Sequence, residues 1–127
     1  MQSINDIRKY FTEQFGVLAE KFEIYEFDVA ETKTSNKIYV SNPGVYVYWN
    51  PKHGVVRVGV SMKNSRKRAL THLDKNTGGI MRALGDDSST KILLFNIREK
   101  NDSHWVIALE KYFEKKLNPY VPPGRYG

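Results

Sequence analysis

The sequence predicts an α+β fold in which a small central sheet is flanked by helices. Apolar residues recur at steps of three and four near both ends of the chain, a pattern typical of amphipathic helices. Between them lie β-branched and aromatic runs bounded by turn residues, which are typical of strands. We therefore expect a central sheet of three strands, mixed or antiparallel, preceded by an extra N-terminal helix.

The segment 5–22 predicts that N-terminal helix, with Asn5 or Asp6 as its cap. Its apolar positions are Ile7, Phe11, Phe15, Leu18 and Phe22. Beyond it, residues 24–30 and 37–40 have the composition of strands, and the polar run ETKTSN between them predicts a loop. These two strands belong to an N-terminal extension and not to the predicted central sheet.

A β-hairpin is predicted next. Residues 45–49 and 55–60 are rich in β-branched and aromatic side chains, and the turn sequence NPKHG separates them. Because successive side chains of a strand point to opposite faces, Tyr46 and Tyr48 are expected to share one face. The other face would then carry Val45, Val47 and Trp49.

A basic helix is expected to follow the hairpin, over residues 64–73. Either Asn64 or Ser65 can cap it, because both residue types accept hydrogen bonds from the first backbone N–H groups of a helix. Arg68 and His72 are four residues apart in it, so they share one helical face.

The C-terminal half predicts a short helix around 80–84, a buried strand at 91–97 and a last helix that begins near Ser103 and stops at Asn118-Pro119. The apolar stripe of the last helix consists of Val106, Leu109, Phe113 and Leu117. Glu110 lies on the margin of this stripe, where a carboxylate needs a partner. A metal ion is a better partner for it than the lysines of the same helix.

Length and composition limit the functional classes. A chain of 127 residues has the size of one domain, and its charge of +6 favours polyanionic partners such as nucleic acid. The absence of cysteine excludes disulfides and thiolate chemistry and is compatible with a reducing, cytoplasmic location. The sequence contains neither a long apolar run nor an export signal at its start, so we expect no membrane association and no secretion.

The order of short motifs carries the functional information. GVY at 44–46 is followed after ten residues by RVG at 57–59, then by the Arg68 and His72 pair, and finally by Glu110 nine residues before Pro119. This order resembles the GIY-YIG nuclease superfamily. The resemblance spans about 44–119 and leaves the extension 1–43 outside. Arg57 stands where the family usually has a second tyrosine.

The resemblance implies an endonuclease that hydrolyses phosphodiester bonds with one divalent metal ion, Mg²⁺ or Mn²⁺, and acts on DNA in preference to RNA. It implies that Tyr46 orients or deprotonates the attacking water, and that Arg68 binds the scissile phosphate. His72 would assist water activation or the leaving group, and Glu110 would bind the metal.

These implied roles agree with the chemistry of the residues. Phosphoryl transfer concentrates negative charge on the phosphate oxygens, which a fixed guanidinium and a metal ion stabilise. Arg57 can donate hydrogen bonds but cannot accept a proton, so it would grip phosphate and leave water activation to Tyr46 and His72.

Four further basic residues are candidate phosphate contacts beside Arg68, and they would set position without reading sequence. They are Lys63, Arg66, Lys67 and Lys75. Two alternatives stay open. The chain could be a catalytically inactive nucleic-acid-binding module on the same fold, or a protein-interaction domain that uses its N-terminal helix for docking.

Overall fold

The computed structural model describes residues 1–75 and 79–121, apart from the side chain of Lys75, and its strands form one antiparallel sheet. The strands are β1 (Phe22–Asp28), β2 (Gly44–Asn50), β3 (Gly54–Ser61) and β4 (Lys91–Ile97). Their spatial order is β1-β4-β2-β3, so β4 and β2 are the inner strands. The helices are α1 (Ile4–Phe15), α2 (Val29–Thr34), α3 (Ser65–Lys75), α4 (Gly79–Asp86) and α5 (His104–Lys116). The α+β class is confirmed.

The predicted number of three strands is wrong, because the strand of the N-terminal extension joins the sheet. β1 pairs with β4 along its whole length, from Phe22 opposite Ile97 to Asp28 opposite Lys91. The physical reason lies in β4, whose side chains are buried on both faces of the sheet from Ile92 onward. A strand in such surroundings needs hydrogen-bond partners on both edges, and β1 satisfies the edge that β2 leaves open.

The predicted helix 5–22 is too long, and its predicted cap is wrong. The N-cap is Ser3, whose hydroxyl accepts a hydrogen bond from the backbone N–H of Asp6, while the Asp6 carboxylate accepts one from the N–H of Ser3. α1 ends at Phe15 because Gly16 takes a left-handed φ of 54°, which glycine adopts readily. A 3₁₀ helix, Gly16–Lys21, then leads into β1.

The segment between β1 and β2 also differs from the prediction. Most of the expected polar loop is α2, which Asp28 caps by accepting a hydrogen bond from the N–H of Glu31. The predicted strand 37–40 is a loop and turn. Its backbone is satisfied in another way, because the carbonyl oxygens of Tyr39 and Val40 accept hydrogen bonds from the side chain of Asn96 on β4.

The sheet separates two apolar cores. The core on one face is formed by α1, α5 and the strand residues that include Val45 and Val47. The core on the other face is formed by α3, α4 and the residues that include Tyr46 and Tyr48, so the predicted alternation of the hairpin is confirmed. The apolar side chains Ile7, Phe11 and Phe15 of α1 are buried in the first core. They are therefore not available as a docking surface for another protein.

The chain returns to the sheet after α5. Asn118, just beyond α5, has a left-handed φ of 44°. Beyond it the N–H of Tyr120 donates to the carbonyl of Val55 at 3.0 Å, and the N–H of Val121 donates to that of Val56 at 2.7 Å. These bonds satisfy part of the open edge of β3. No helix in the described ranges is long and apolar enough to cross a membrane.

Candidate functional site

The hydroxyl group of Tyr46 is the centre of the candidate site. Tyr46 lies on β2 and is 1% exposed. Its hydroxyl oxygen is 3.3 Å from Nδ1 of His72, and the two rings meet edge to face. The positive charge of Arg68 acts on this hydroxyl and opposes the rise of its pKa. Tyr46 and His72, both singled out from the sequence, are thus in direct contact.

Gly59, the last residue of the RVG motif, makes room for the ring of Tyr46. It lies directly opposite Tyr46 in the pairing of β2 with β3. A Cβ atom at this position would collide with the ring and hydroxyl of Tyr46, so the ring can lie across β3 only because residue 59 has no side chain. Gly59 of the RVG motif therefore leaves the space that the ring of Tyr46, from the GVY motif, occupies.

The start of α3 is held in place by hydrogen bonds to the sheet and to the loop before β2. The Oδ1 atom of Asn64 accepts a hydrogen bond from the N–H of Lys67, which confirms Asn64 as a cap. The hydroxyl of Ser65 donates to Oδ1 of Asn96, which is buried on β4. One turn further along, the hydroxyl of Tyr48 donates to the carbonyl of Ala69 at 2.6 Å. These contacts set the position from which α3 presents Arg68 and His72 to Tyr46.

Arg57 adds a second guanidinium group near the site. It is paired with Tyr48 across the hairpin, so its side chain belongs to the same sheet face as Tyr46. Its positive charge lowers the pKa of both Tyr46 and His72. Arg57 is half-buried and Arg68 is exposed, so both can be reached from solvent.

Glu110 is buried on α5, with 3% of its surface exposed, and its neighbours Val106, Leu109 and Phe113 are fully buried. The apolar stripe predicted for this helix is thereby confirmed. The negative charge of Glu110 raises the pKa of Tyr46. Glu110 is carried by α5, which packs on the other face of the sheet from Tyr46, so the carboxylate acts on the hydroxyl through its charge.

Two pKa shifts define the protonation of the pair formed by Tyr46 and His72. Burial raises the pKa of Tyr46 above its usual value, against the opposing charges of Arg68 and Arg57. Burial, together with the same two charges, lowers the pKa of His72 to about 4. At neutral pH Tyr46 therefore keeps its proton and His72 is uncharged.

The direction of the hydrogen bond between Tyr46 and His72 follows from this protonation. A neutral imidazole has one unprotonated ring nitrogen, which can accept a hydrogen bond. Tyr46 keeps its hydrogen, so its hydroxyl donates to Nδ1 of His72 in the tautomer that carries the imidazole proton on Nε2. In that tautomer Nδ1 can take the proton of the tyrosine.

The capacity of the site for a metal ion depends on Glu110. Among the described residues, no group of three or more histidine, cysteine, aspartate or glutamate side chains is arranged to hold a metal ion. A magnesium-type ion prefers oxygen ligands and keeps several of its waters, so one carboxylate together with a substrate phosphate can hold it. The residues present fit that mode and not a cage made entirely of protein ligands.

The four predicted phosphate contacts lie in different surroundings. Lys63 and Lys67 are exposed on the segment that begins α3. The guanidinium of Arg66 donates to the carbonyl of Ser35 at 2.7 Å and to the hydroxyl of Ser41 at 2.9 Å, which engages it in the protein's own loop. The side chain of Lys75 lies outside the described residues.

Two residues that position the other residues of the site, Asn96 and Gly59, have roles that the sequence analysis missed. Asn96 connects β4, α3 and the loop before β2, and the only sequence indication of it is one amide in the apolar run KILLFNI. Gly59 was visible as part of a motif, but its contact with Tyr46 was not. Both residues hold other parts of the site in position, and neither takes part in the proposed chemistry.

Comparison of the chain with models of known protein families, with curated proteins and with solved structures gave no match.

Proposed function

We propose that this protein is a metal-dependent endonuclease that hydrolyses phosphodiester bonds in DNA at the site around Tyr46. One observation carries the proposal. The Tyr46 hydroxyl lies 3.3 Å from Nδ1 of His72, and the charges of Arg68, Arg57 and Glu110 all act on it. This supports a site in which Tyr46 and His72 move a proton, the two arginines bind phosphate and Glu110 binds a metal ion, in the motif order that resembles the GIY-YIG nucleases.

Arg57 and Arg68 suit the binding of a phosphodiester. The negative charge on the non-bridging oxygens grows as the attacking oxygen approaches phosphorus, and fixed guanidinium groups stabilise that charge. Even without substrate, the charges of the two arginines act to lower the pKa of both Tyr46 and His72. A phosphate bound to them would lie beside the hydroxyl of Tyr46.

The hydrogen bond between Tyr46 and His72 provides a path for the proton of the attacking water. The Tyr46 oxygen accepts a proton from water while its own proton passes to Nδ1 of His72. The water oxygen forms a bond to phosphorus, the bond from phosphorus to the leaving sugar oxygen breaks, and that oxygen takes a proton from solvent. A bound phosphate offsets the positive charges of Arg57 and Arg68, which raises the pKa of His72 and makes the transfer easier.

Glu110 is the proposed ligand of a divalent cation, Mg²⁺ or Mn²⁺. Such an ion would supply additional positive charge to the phosphate oxygens. Because Glu110 is buried at an apolar helix margin, its position is fixed by the packing of α5 and not by solvent.

A second candidate is a catalytically inactive nucleic-acid-binding module. Arg57 favours it, because an arginine cannot replace the second tyrosine as a proton acceptor. The raised pKa of Tyr46 also favours it, since a tyrosine that holds its proton firmly is a poor base. The same cationic residues would bind the phosphates in either case.

Nicking of supercoiled plasmid DNA tests the first candidate against the second. We expect the wild-type protein to nick the plasmid with Mg²⁺ or Mn²⁺ and to leave it intact with a chelator. Glu110→Gln keeps the size of the side chain but removes its charge, and we expect it to lower the nicking rate by roughly a hundredfold or more.

Glu114→Gln is the matched control, because residue 114 lies one turn further along α5. It should retain the wild-type rate. If the wild-type protein binds DNA and cuts none with either metal, the binding module replaces the endonuclease as the proposed function.

A further inference from the structure

Residues 35–41, in the loop between α2 and β2, are held by several hydrogen bonds although they are irregular. One guanidinium spans its two ends, because Arg66 donates to the carbonyl of Ser35 and to the hydroxyl of Ser41. Its middle is bound to the sheet as well. The side chain of Asn96 donates to the carbonyls of Tyr39 and Val40 at 2.9 and 3.2 Å.

Further hydrogen bonds close the turn inside this loop. The N–H of Tyr39 donates to the hydroxyl of Tyr25 at 3.2 Å, and the N–H of Val40 donates to the carbonyl of Lys37 at 3.1 Å. Val40 is 3% exposed and packs in the core that also contains Tyr46. The conformation of the loop is therefore determined by buried contacts.

The tip of this loop presents an isoleucine to solvent. Ile38 is 80% exposed, while Tyr39 and Val40 beside it are directed into the protein. A single exposed apolar residue is common on protein surfaces and needs no explanation by itself. Two features set Ile38 apart: the residues on both sides of it are held by hydrogen bonds, and exposed lysines lie next to it in the sequence and on the segment to which its loop is bound.

Exposed lysines and one more exposed apolar side chain lie beside the tip in the sequence or on the segment to which the loop is bound. Lys37 is adjacent to Ile38, and Lys63 and Lys67 lie at the beginning of α3, to which Arg66 ties the loop. Met62 in the same segment is 42% exposed. An apolar tip within a cationic surface matches a nucleic acid, which presents phosphates outside and apolar base faces inside.

We propose that Ile38 is a wedge that packs against the bases of bound DNA, so that the protein prefers DNA with a mismatched or easily unstacked base pair. The proposal rests on the DNA-binding part of the proposed function and not on cleavage. Apolar side chains that separate base steps are a known means of distorting DNA beside lysine and arginine contacts to its phosphates. A mismatch lowers the cost of that distortion.

The test measures binding in the presence of a chelator, so that cleavage plays no part. A short duplex carries 2-aminopurine, a base whose fluorescence rises when it leaves the stack, next to a single mismatch. We expect the wild-type protein to raise this fluorescence and to bind the mismatched duplex more tightly than the matched one. Ile38→Ser should bind the mismatched duplex about tenfold more weakly, the loss expected when one aliphatic side chain is no longer buried on binding.

Val17→Ser is the matched control. Val17 is 85% exposed, and the 3₁₀ helix that contains it packs on the opposite core. It should bind both duplexes as the wild type does, and thermal unfolding should show that both variants stay folded. Equal affinity of Ile38→Ser and wild type for the mismatched duplex, or no preference of the wild type for the mismatch, overturns the wedge. Either result leaves the nicking assay to decide the endonuclease proposal separately.

Discussion

At the scale of single residues, His72 determines how the candidate site responds to pH. Its pKa is lowered to about 4 because burial and the charges of Arg68 and Arg57 disfavour the imidazolium form. Its ordinary pKa is 6.5. The imidazole is therefore available as a proton acceptor throughout the neutral range, although it is a weak one until an anion is bound nearby.

The lowered pKa of His72 predicts a loss of stability in acid. Between pH 6.5 and about 4 the unfolded chain binds a proton at His72 that the folded chain does not bind. The free energy of unfolding should consequently fall as the pH falls through this window, and His72 should contribute no such effect above it. Urea unfolding at about pH 7 and about pH 4.5 measures the difference, which should be smaller in His72→Gln than in the wild type.

His104→Gln serves as the comparison, because His104 is exposed at the start of α5. It should lose as much stability between the two pH values as the wild type does. An equal pH dependence in His72→Gln and wild type would show that this histidine is not held in its neutral form.

At the scale of elements, the hairpin of β2 and β3 builds the site through one close approach. The ring of Tyr46 lies against Gly59 of β3. The side chain is only 1% exposed, so the atoms around it leave it no room to move. The hydroxyl position, and with it the contact to His72, depends on this packing.

Gly59→Ala should therefore displace Tyr46. The added methyl group collides with the tyrosine ring, and overpacking of this kind costs about 1–3 kcal/mol of stability. Urea unfolding should show that loss, and the plasmid assay should show a larger fall in nicking than the loss of folded protein explains.

Gly85→Ala in α4 is the control for this change. A Cβ atom there meets Leu73 at 3.6 Å, an ordinary contact, and alanine is a better helix former than glycine. The variant should be as stable as the wild type or more stable. A stable and fully active Gly59→Ala protein would mean that the position of Tyr46 does not depend on this glycine.

Elements with local patterns were predicted well. Strand 91–97 was predicted with its observed bounds, and the hairpin and the stripe of α5 were also confirmed. α1 was predicted too long because its apolar spacing continues past Gly16, where the backbone turns away. Segment 37–40 was predicted as a strand because its composition suits one, but its carbonyls are bound by Asn96.

At the scale of the whole molecule, net positive charge is the property that would attract the proposed DNA substrate over a long range. The chain carries +6; Lys67 belongs to α3 together with Arg68, and Lys63 lies two residues before that helix. Lys9 belongs to α1, which packs on the opposite face. Of these three lysines, Lys63 and Lys67 are expected to contact the DNA backbone and Lys9 is not.

DNA affinity should fall steeply with salt, because each phosphate contact releases counterions when it forms. Removing one contact in Lys63→Gln or Lys67→Gln should lower the slope of log affinity against log salt by about one. Fluorescence anisotropy over a series of salt concentrations measures this slope. Lys9→Gln should leave it unchanged, and a slope that falls equally in all three variants would contradict a one-sided binding surface.

The sequence by itself determined the α+β class, the hairpin, the central strand 91–97 and the order of the candidate site residues. These features follow from backbone periodicity and motif spacing, which act over short stretches of chain. Only the tertiary structure decided that β1 is a fourth strand, that Arg66 holds a loop, that Asn96 joins three segments, and that Gly59 lies against Tyr46. Each of these depends on which distant group satisfies an open strand edge, a buried polar atom or a gap in packing, and residue spacing does not contain that information.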